Sequence, residues 1–328
     1  MRFAERLNLE HPVVQAGMGG GVAGGALAGA VSAAGGLGTV GIMGPDAFLG
    51  ALHEARRLAP GRPVAANLLV PFVRSAHVAA CAEARADVVV LHGGAAPALV
   101  RALHAAGLFV LDTVGTVAEA RRALADGADG LVVQGLEAGG HLVGVQDTPG
   151  ALAAVRAAIG DEVPVLAAGG VADAVVVQRL LDLGADAAAA GTRFLLTAES
   201  GAHPAYRDRV LGAKRTLDTL LFSTGWPMRH RVVPNAATDR WCATDERGPA
   251  WLRAVTARTG PVGRALPIAH LERFLGVQRP GLPVFTPALP LVGMDAAVVD
   301  RAALYAGESA LRMTGVVSAA DAVAALTP

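Results

Sequence analysis

Charge, lysine, cysteine and aromatic rings are all scarce in this 328-residue chain, and each scarcity closes off a class of function. Charged residues make up only 17%, and 28 basic residues are balanced by 28 acidic ones. No basic stripe is offered, so nucleic acid is not an expected partner. Lys214 is the single lysine, and nothing beside it supports Schiff-base chemistry, which needs a buried amine. Cys81 and Cys242 stand alone without CxxC spacing, so neither a metal site nor a disulfide framework is implied, and two reduced thiols suit a cytoplasmic protein. No apolar run approaches the roughly 18 to 20 residues of a membrane span. The opening MRFAERLNLEHP has no apolar segment of the kind a signal peptide carries.

What is abundant is Ala, Val and Leu. Hydrophobic residues reach 53% while aromatics stop at 4%, which excludes disorder and suits helices packed closely on a buried sheet. The first two hundred residues repeat one theme: a short β-branched run, a Gly or polar residue, an Ala-rich helix, then Gly before the next run. The expected strands are PVVQAG (12–17), LGTVGI (37–42), PVAANLL (63–69), DVVVLHG (87–93), LFVLDTVG (108–115), GLVVQG (130–135), VPVLAAGG (163–170) and AAAAGTRF (187–194). Between them, segments such as PDAFLGALHEARRLA and DAVVVQRLLDLGA space their apolar residues by three and four, as helices do. Gly107, Gly127 and Gly184 fall where a helix C-terminus takes a left-handed residue.

Strands apolar on both faces and alternating with helices predict a parallel sheet covered by helices. Eight units predict an α/β fold of the closed (β/α)8 TIM-barrel type rather than an open dinucleotide-binding sheet. GMGGGVAGG near residue 20 imitates a dinucleotide loop but lacks the acidic partner at the next strand end. Residues 215–298 break the rhythm with prolines and many of the aromatics, including all three tryptophans, as in WPMRHRVVP and LERFLGVQRPGLPVFTPALP. They are expected to form a smaller, mainly helical lid, with 1–214 plus 299–328 forming the barrel.

In such barrels the site lies at the C-terminal strand ends. The polar or glycine residues there are Gln15 to Met18, Asn67, His92, Asp112, Gln134 with His141, Gly169–Gly170 and Gly191–Thr192. AAGGVAD (167–173) and AGTRF (190–194) close the seventh and eighth runs, where glycine loops present bare N–H groups to phosphate. Asn67 and Gln134 are amides at the ends of apolar strands, where they need partners; for Asn67, a ligand and neighbouring backbone are both open. His92 and Asp112 are expected to point into the mouth. His141, set among glycines in QGLEAGGHLVG, is the candidate general base, and Glu137 is expected to orient that loop or its histidine. His53, His77 and His104 are expected on helix surfaces.

These strand ends resemble the nitronate monooxygenases, formerly called 2-nitropropane dioxygenases. The resemblance rests on VVQAGMGGGVAGGALAGAVSAAGGLGTVG, PVAANLLVPF, ADGLVVQGLEAGGH, VPVLAAGGVAD, LGADAAAAGTRFLLTAESGAHPAY, FSTGWPMRHRVVPN and YAGESA, and it covers almost the whole chain. It implies a flavoprotein with FMN held non-covalently. Ala16, Gly17 and Met18 would approach the ring, Asn67 and Gln134 would bond the cofactor, and Gly139 would line it. Gly169, Gly170, Gly191 and Thr192 would hold the phosphate, and His141 would handle a small-molecule substrate that reacts with O2. The flavin-dependent enoyl-ACP reductases share EAGGH and the AHPxY segment, which leaves an NAD(P)H reductase of enoyl thioesters or quinones as the alternative. A flavin-free, phosphate-binding barrel is the second alternative. Gln15-Ala16-Gly17-Met18 stands where many relatives read QAPM, and Leu-Val-Gly after His141 is one residue longer than the common GGHxG spacing. Both departures bear on the substrate more than on the cofactor.

Overall fold

The structure is a computed structural model that describes residues 3–265 and 274–328. Residues 266–273, which fall inside the expected lid, lie outside the described residues. All eight runs form parallel strands: β1 (Val13–Gln15), β2 (Gly38–Val40), β3 (Val64–Leu69), β4 (Val88–His92), β5 (Phe109–Val114), β6 (Gly130–Gln134), β8 (Val165–Ala168) and β9 (Ala187–Ala190). Their order is β1-β9-β8-β6-β5-β4-β3-β2. A parallel bridge between Val14 and Leu37 brings the two ends together, closing a barrel. The eighth run was expected to extend to Phe194, but Thr192 to Leu195 turn into a short helix instead.

The seam between β1 and β2 is short, and a side chain completes it. Leu37 N–H donates to Val13 O at 3.0 Å and Gln15 N–H to Leu37 O at 2.9 Å. Two residues further on, the Gln15 Oε1 accepts from Thr39 N–H at 2.9 Å in place of a ladder bond. Fully buried, Gln15 is a seam residue and does not face the mouth, contrary to the expectation for it.

Side chains alternate along each strand between the barrel interior and the helical layer. Val14, Leu37, Ala65, Val88, Leu111, Val132, Leu166, Ala187 and Ala189 fill the interior, and Phe3 belongs to the same cluster. The opposite faces pack on helices such as α2 (Gly25–Ala33) and α3 (Pro45–Leu58). Helix–strand approach is tight here: a Cβ on Gly38 would lie 1.8 Å from Ala28 O. Gly107, Gly127 and Gly184 adopt positive φ after their helices, as expected. No helix among the described residues is long and apolar enough to cross a membrane.

The same alternation overturns the placing of Asp112. On β5 Leu111 faces the interior, so Asp112, the next residue, faces the helices, buried and outside the cavity at the strand ends. Its Oδ1 has no hydrogen-bond partner among the described residues. Burial, reinforced by Asp126 and Glu119, pushes the carboxyl up to about 7. His77 also departs from its expected surface position: it is buried, with Nδ1 accepting from Arg74 N–H at 3.0 Å and Nε2 donating to Met43 O at 2.9 Å. His53 and His104 are exposed as expected.

Residues 215–298 carry short helices at Ala236–Trp241, Ala250–Thr256 and Gly260–Ala265 and two strands, β10 (Leu217–Thr219) and β11 (His230–Val232). These strands form a small antiparallel sheet whose third member, β7 (Gly140–His141), comes from the barrel loop after β6. The C-terminal helix Ala319–Leu326 packs back on the barrel's helical layer.

Asp112 gives the fold a pH signature. Below about pH 4 the carboxyl is protonated in folded and unfolded chains alike. Between there and about 7 only the unfolded chain releases the proton, so stability falls as pH rises. Asp112→Asn is therefore expected to raise the melting temperature at pH 8, by an amount corresponding to on the order of 2–4 kcal/mol, with the gain shrinking toward pH 5. Thermal melts across that range check it; a gain independent of pH would contradict it.

Candidate active site

A cavity of about 250 Å³ opens at the C-terminal ends of the barrel strands. Ala16, Gly17, Met18, Asn67, Gln134, Gly139, His141, Gly169, Gly170, Gly191 and Thr192 all line it, as does His92. The closed barrel thus brings together residues drawn from across about 180 positions of sequence, as parallel strands around one axis must.

The loop after β6 is the most tightly held part of the rim. The buried Gln134 amide clamps it from below: Oε1 accepts from Val143 N–H at 2.7 Å, and Nε2 donates to His141 O at 3.2 Å. Glu137 faces away from the histidine, accepting from Thr148 N–H at 2.9 Å and Thr148 Oγ1 at 2.7 Å. It orients the loop against the start of the following helix, Thr148–Ile159. Gly139 is required by a chain crossing: its Cβ would lie 2.4 Å from Gly307 N, in the YAGESA segment. Gly140 has φ +75 and open space where a Cβ would go.

His141 therefore stands on a backbone fixed from two sides, by Gln134 below and by pairing with His230 of β11 above. Its ring stacks on Trp226 with centroids 3.7 Å apart and planes 18° from parallel. The Tyr305 ring lies 5.3 Å away and the His230 ring 5.4 Å away. His141 Nε2 is buried without a hydrogen-bond partner among the described residues. Burial, and then the neighbouring His230 and His92, lower its pKa well below 6.5. His92 is pushed down by burial to about 4, opposed by the backbone of His141. His230 is also pushed down by burial to about 4, but both its nitrogens are engaged: Nδ1 donates to Met228 O at 3.0 Å and Nε2 accepts from Phe222 N–H at 3.3 Å. His141 is thus a neutral imidazole with a buried nitrogen that has no partner among the described residues, the form that can accept a proton.

Across the mouth, Asn67 Nδ2 donates to Val90 O at 3.1 Å. A Cβ on Gly17 would meet Asn67 Cβ at 2.2 Å, so glycine there makes room for the amide. Each primary amide has two N–H donors, and the bond to Val90 uses one of those on Asn67. Gly169 and Gly170 follow β8 with φ +127 and +68, backbone that other residues rarely adopt. Beside them Thr192 Oγ1 accepts from Gly307 N–H at 2.9 Å, which leaves the hydroxyl hydrogen free to donate. Thr192 and Arg193 open the helix Thr192–Leu195, so their N–H groups have no intrahelical acceptor.

Residue-by-residue sequence reasoning missed the upper wall of the cavity. Trp226, Tyr305, Leu289 and Leu291 line it beside Phe72, and these four come from the irregular region or the tail after it. Their usable signal is composition, because 215–298 concentrates the aromatics, but no spacing rule ties them to the strand ends.

The chain is similar to a known family and to several known proteins. A family model described as nitronate monooxygenase matches residues 2–79 and 71–328. Nitronate monooxygenase from Pseudomonas aeruginosa is 36% identical over 272 residues, covering 68% of this chain and 77% of that protein. The Mycobacterium tuberculosis (3aS,4S,5R,7aS)-5-hydroxy-7a-methyl-1-oxo-octahydro-1H-indene-4-carboxyl-CoA dehydrogenase is 36% identical over 244 residues, covering 70% of this chain and 65% of that one. Among solved structures, FabK from Thermotoga maritima superposes with a TM-score of 0.76 at 25% identity, over 98% of this chain and 93% of that one. Nitroalkane oxidase from Streptomyces ansochromogenes gives 0.74 at 27% identity, over 98% and 96%.

The two adjacent glycines of the loop should respond differently to a methyl group. Gly139→Ala drives a Cβ into the Gly307 backbone and is expected to cost roughly 2–4 kcal/mol. Gly140→Ala meets open space and bears only backbone strain, about 1–2 kcal/mol. Urea denaturation of both variants checks the ranking.

Proposed function

The chain belongs to the nitronate monooxygenase family, and on that premise we propose that it is an FMN-dependent oxidoreductase that oxidises alkyl nitronates with O2. The observation that carries this reading is the neutral, unpartnered His141 Nε2 at the rim of a glycine-lined cavity. The residues present fit a flavin mononucleotide. Gly169–Gly170 and Gly191–Thr192 would hold its phosphate through backbone N–H groups and the Thr192 hydroxyl, which needs no lysine. Ala16, Gly17 and Met18 would approach the ring with backbone, and Gly139 would line it. Asn67 and Gln134 each retain an N–H not used in the bonds that anchor them, available to the cofactor.

When bound, flavin supplies the two-electron chemistry, drawing electrons from the nitronate and passing them to O2, with a carbonyl compound and nitrite as products. This chain's own part is to hold and deprotonate. His141 Nε2 takes the α-proton when a neutral nitroalkane is presented, and the Trp226 stack and Gln134 clamp keep the imidazole in place. The apolar lid residues exclude water from the mouth. Similarity to the tuberculosis dehydrogenase, whose name includes a CoA ester, supports a second reading, an FMN-dependent reductase or dehydrogenase of thioesters.

Anaerobic titration separates the two. A nitronate oxidiser bleaches its flavin with ethyl nitronate; fast bleaching by NAD(P)H with no response to nitronates would overturn the leading reading. His141→Ala is expected to keep FMN bound and to slow reduction by neutral nitroalkanes by about 10²-fold or more; loss of the flavin alone would assign His141 to binding. Because burial holds His141 neutral, its base function should persist unchanged from about pH 8 to about pH 6. A fall in nitroalkane kcat/KM with an apparent pKa near 6.5 would contradict that.

A further inference from the structure

The cavity wall opposite the glycine loops is hydrocarbon and aromatic. Leu69 and Phe72 come from the end of β3 and the turn after it, and Trp226, Leu289 and Leu291 from the lid span. Phe72 and Trp226 meet edge to face, with centroids 5.4 Å apart. Leu289 and Leu291 reach over the glycine loop after β1: a Cβ on Gly20 would lie 3.3 Å from Leu289 Cδ1, and one on Gly21 3.7 Å from Leu291 Cδ1. Among the described residues, neither lysine nor arginine lines the cavity, and its one carboxylate, Glu137, is held by Thr148. The rim histidines offer no compensating charge, since His92 and His141 are neutral near pH 7. An anionic group placed against this wall would lose its hydration without gaining a partner, whereas each methylene gains transfer free energy.

We infer that the substrates are nitronates whose tails are uncharged and apolar, seated against Leu69, Phe72, Trp226, Leu289 and Leu291, and that carboxylate-bearing nitronates are discriminated against. This rests on the nitronate reading above and specifies which members of that class the site takes. Leu289 is the specificity-determining position, because it lies over the glycine loop and belongs to the lid rather than to the barrel.

The test uses the flavin-loaded full chain and a near-isosteric pair, 3-methylbutyl nitronate and propionate 3-nitronate, with a series of linear alkyl nitronates. The expected result is kcat/KM at least tenfold higher for the branched alkyl compound, expressed mainly in KM. Along the series kcat/KM should rise about three- to fourfold per methylene until the wall is covered. Leu289→Arg is expected to narrow or reverse the preference. A binding readout independent of turnover accompanies it: 3-methyl-1-nitrobutane should raise the melting temperature, and 3-nitropropionate at equal concentration should not. Equal or better turnover of propionate 3-nitronate, together with stabilisation by 3-nitropropionate, would overturn the inference while leaving the nitronate reading intact. If no nitronate bleaches the flavin, the reading fails first, and the inference with it.

Discussion

The site depends on the hydrogen bonds that fix one loop backbone. Between Gln134 and Thr148 the chain leaves a strand, crosses the YAGESA segment, pairs with β11 and enters a helix. The Gln134 amide and the Glu137–Thr148 contact hold it from within, and β11 holds it from outside. Only with the backbone so fixed can a buried imidazole keep a nitrogen unpaired at the rim. An unsatisfied polar atom is costly, and it persists where the surroundings leave the side chain no alternative position.

Small residues make that loop geometrically possible. Gly139 and Gly307 pass so closely that neither tolerates a methyl group, and Gly17 yields its side-chain volume to Asn67. These are separate consequences of one economy: where aromatics are few, the interior is closed by bringing backbones together. The seam at β1 and β2 is a further case, in which the buried Gln15 side chain completes a hydrogen-bond ladder that the short strands leave unfinished.

The electrostatic character of the cavity follows from the rings packed over the strand ends. Trp226 lies against His141 and His92, and Tyr305 against His141 and His230, and desolvation is the largest cause of each lowered pKa. The same surface that holds His141 neutral is the one a substrate tail would meet. The proposed base role of His141 and the proposed tail selection would therefore share a physical origin. Because β7 comes from the loop after β6 and β10 and β11 from residues 215–298, the position of His141 is tied to that segment through backbone hydrogen bonds as well as through side-chain contact.

The barrel, its strand count and the convergence of Ala16 to Met18, Asn67, Gln134, His141 and the two glycine loops were legible in the sequence. Hydrophobic period and helix-ending glycines are local signals, and a closed parallel barrel sends all its strand ends to one mouth. Facing was less legible. Asp112 lies on the outer side because its neighbour Leu111 faces the interior, and alternation along a strand reverses side with every residue. His77 is buried because a distant carbonyl, that of Met43, accepts from its ring, which no helical spacing reveals. Trp226, Tyr305 and Leu289 reach the cavity from an irregular segment whose path is set by packing alone. Sequence by itself determined the scaffold and the histidine; tertiary structure decided that this histidine is neutral, stacked and facing an apolar wall, because burial and ring contact exist only where Trp226 and Tyr305 pack over the strand ends.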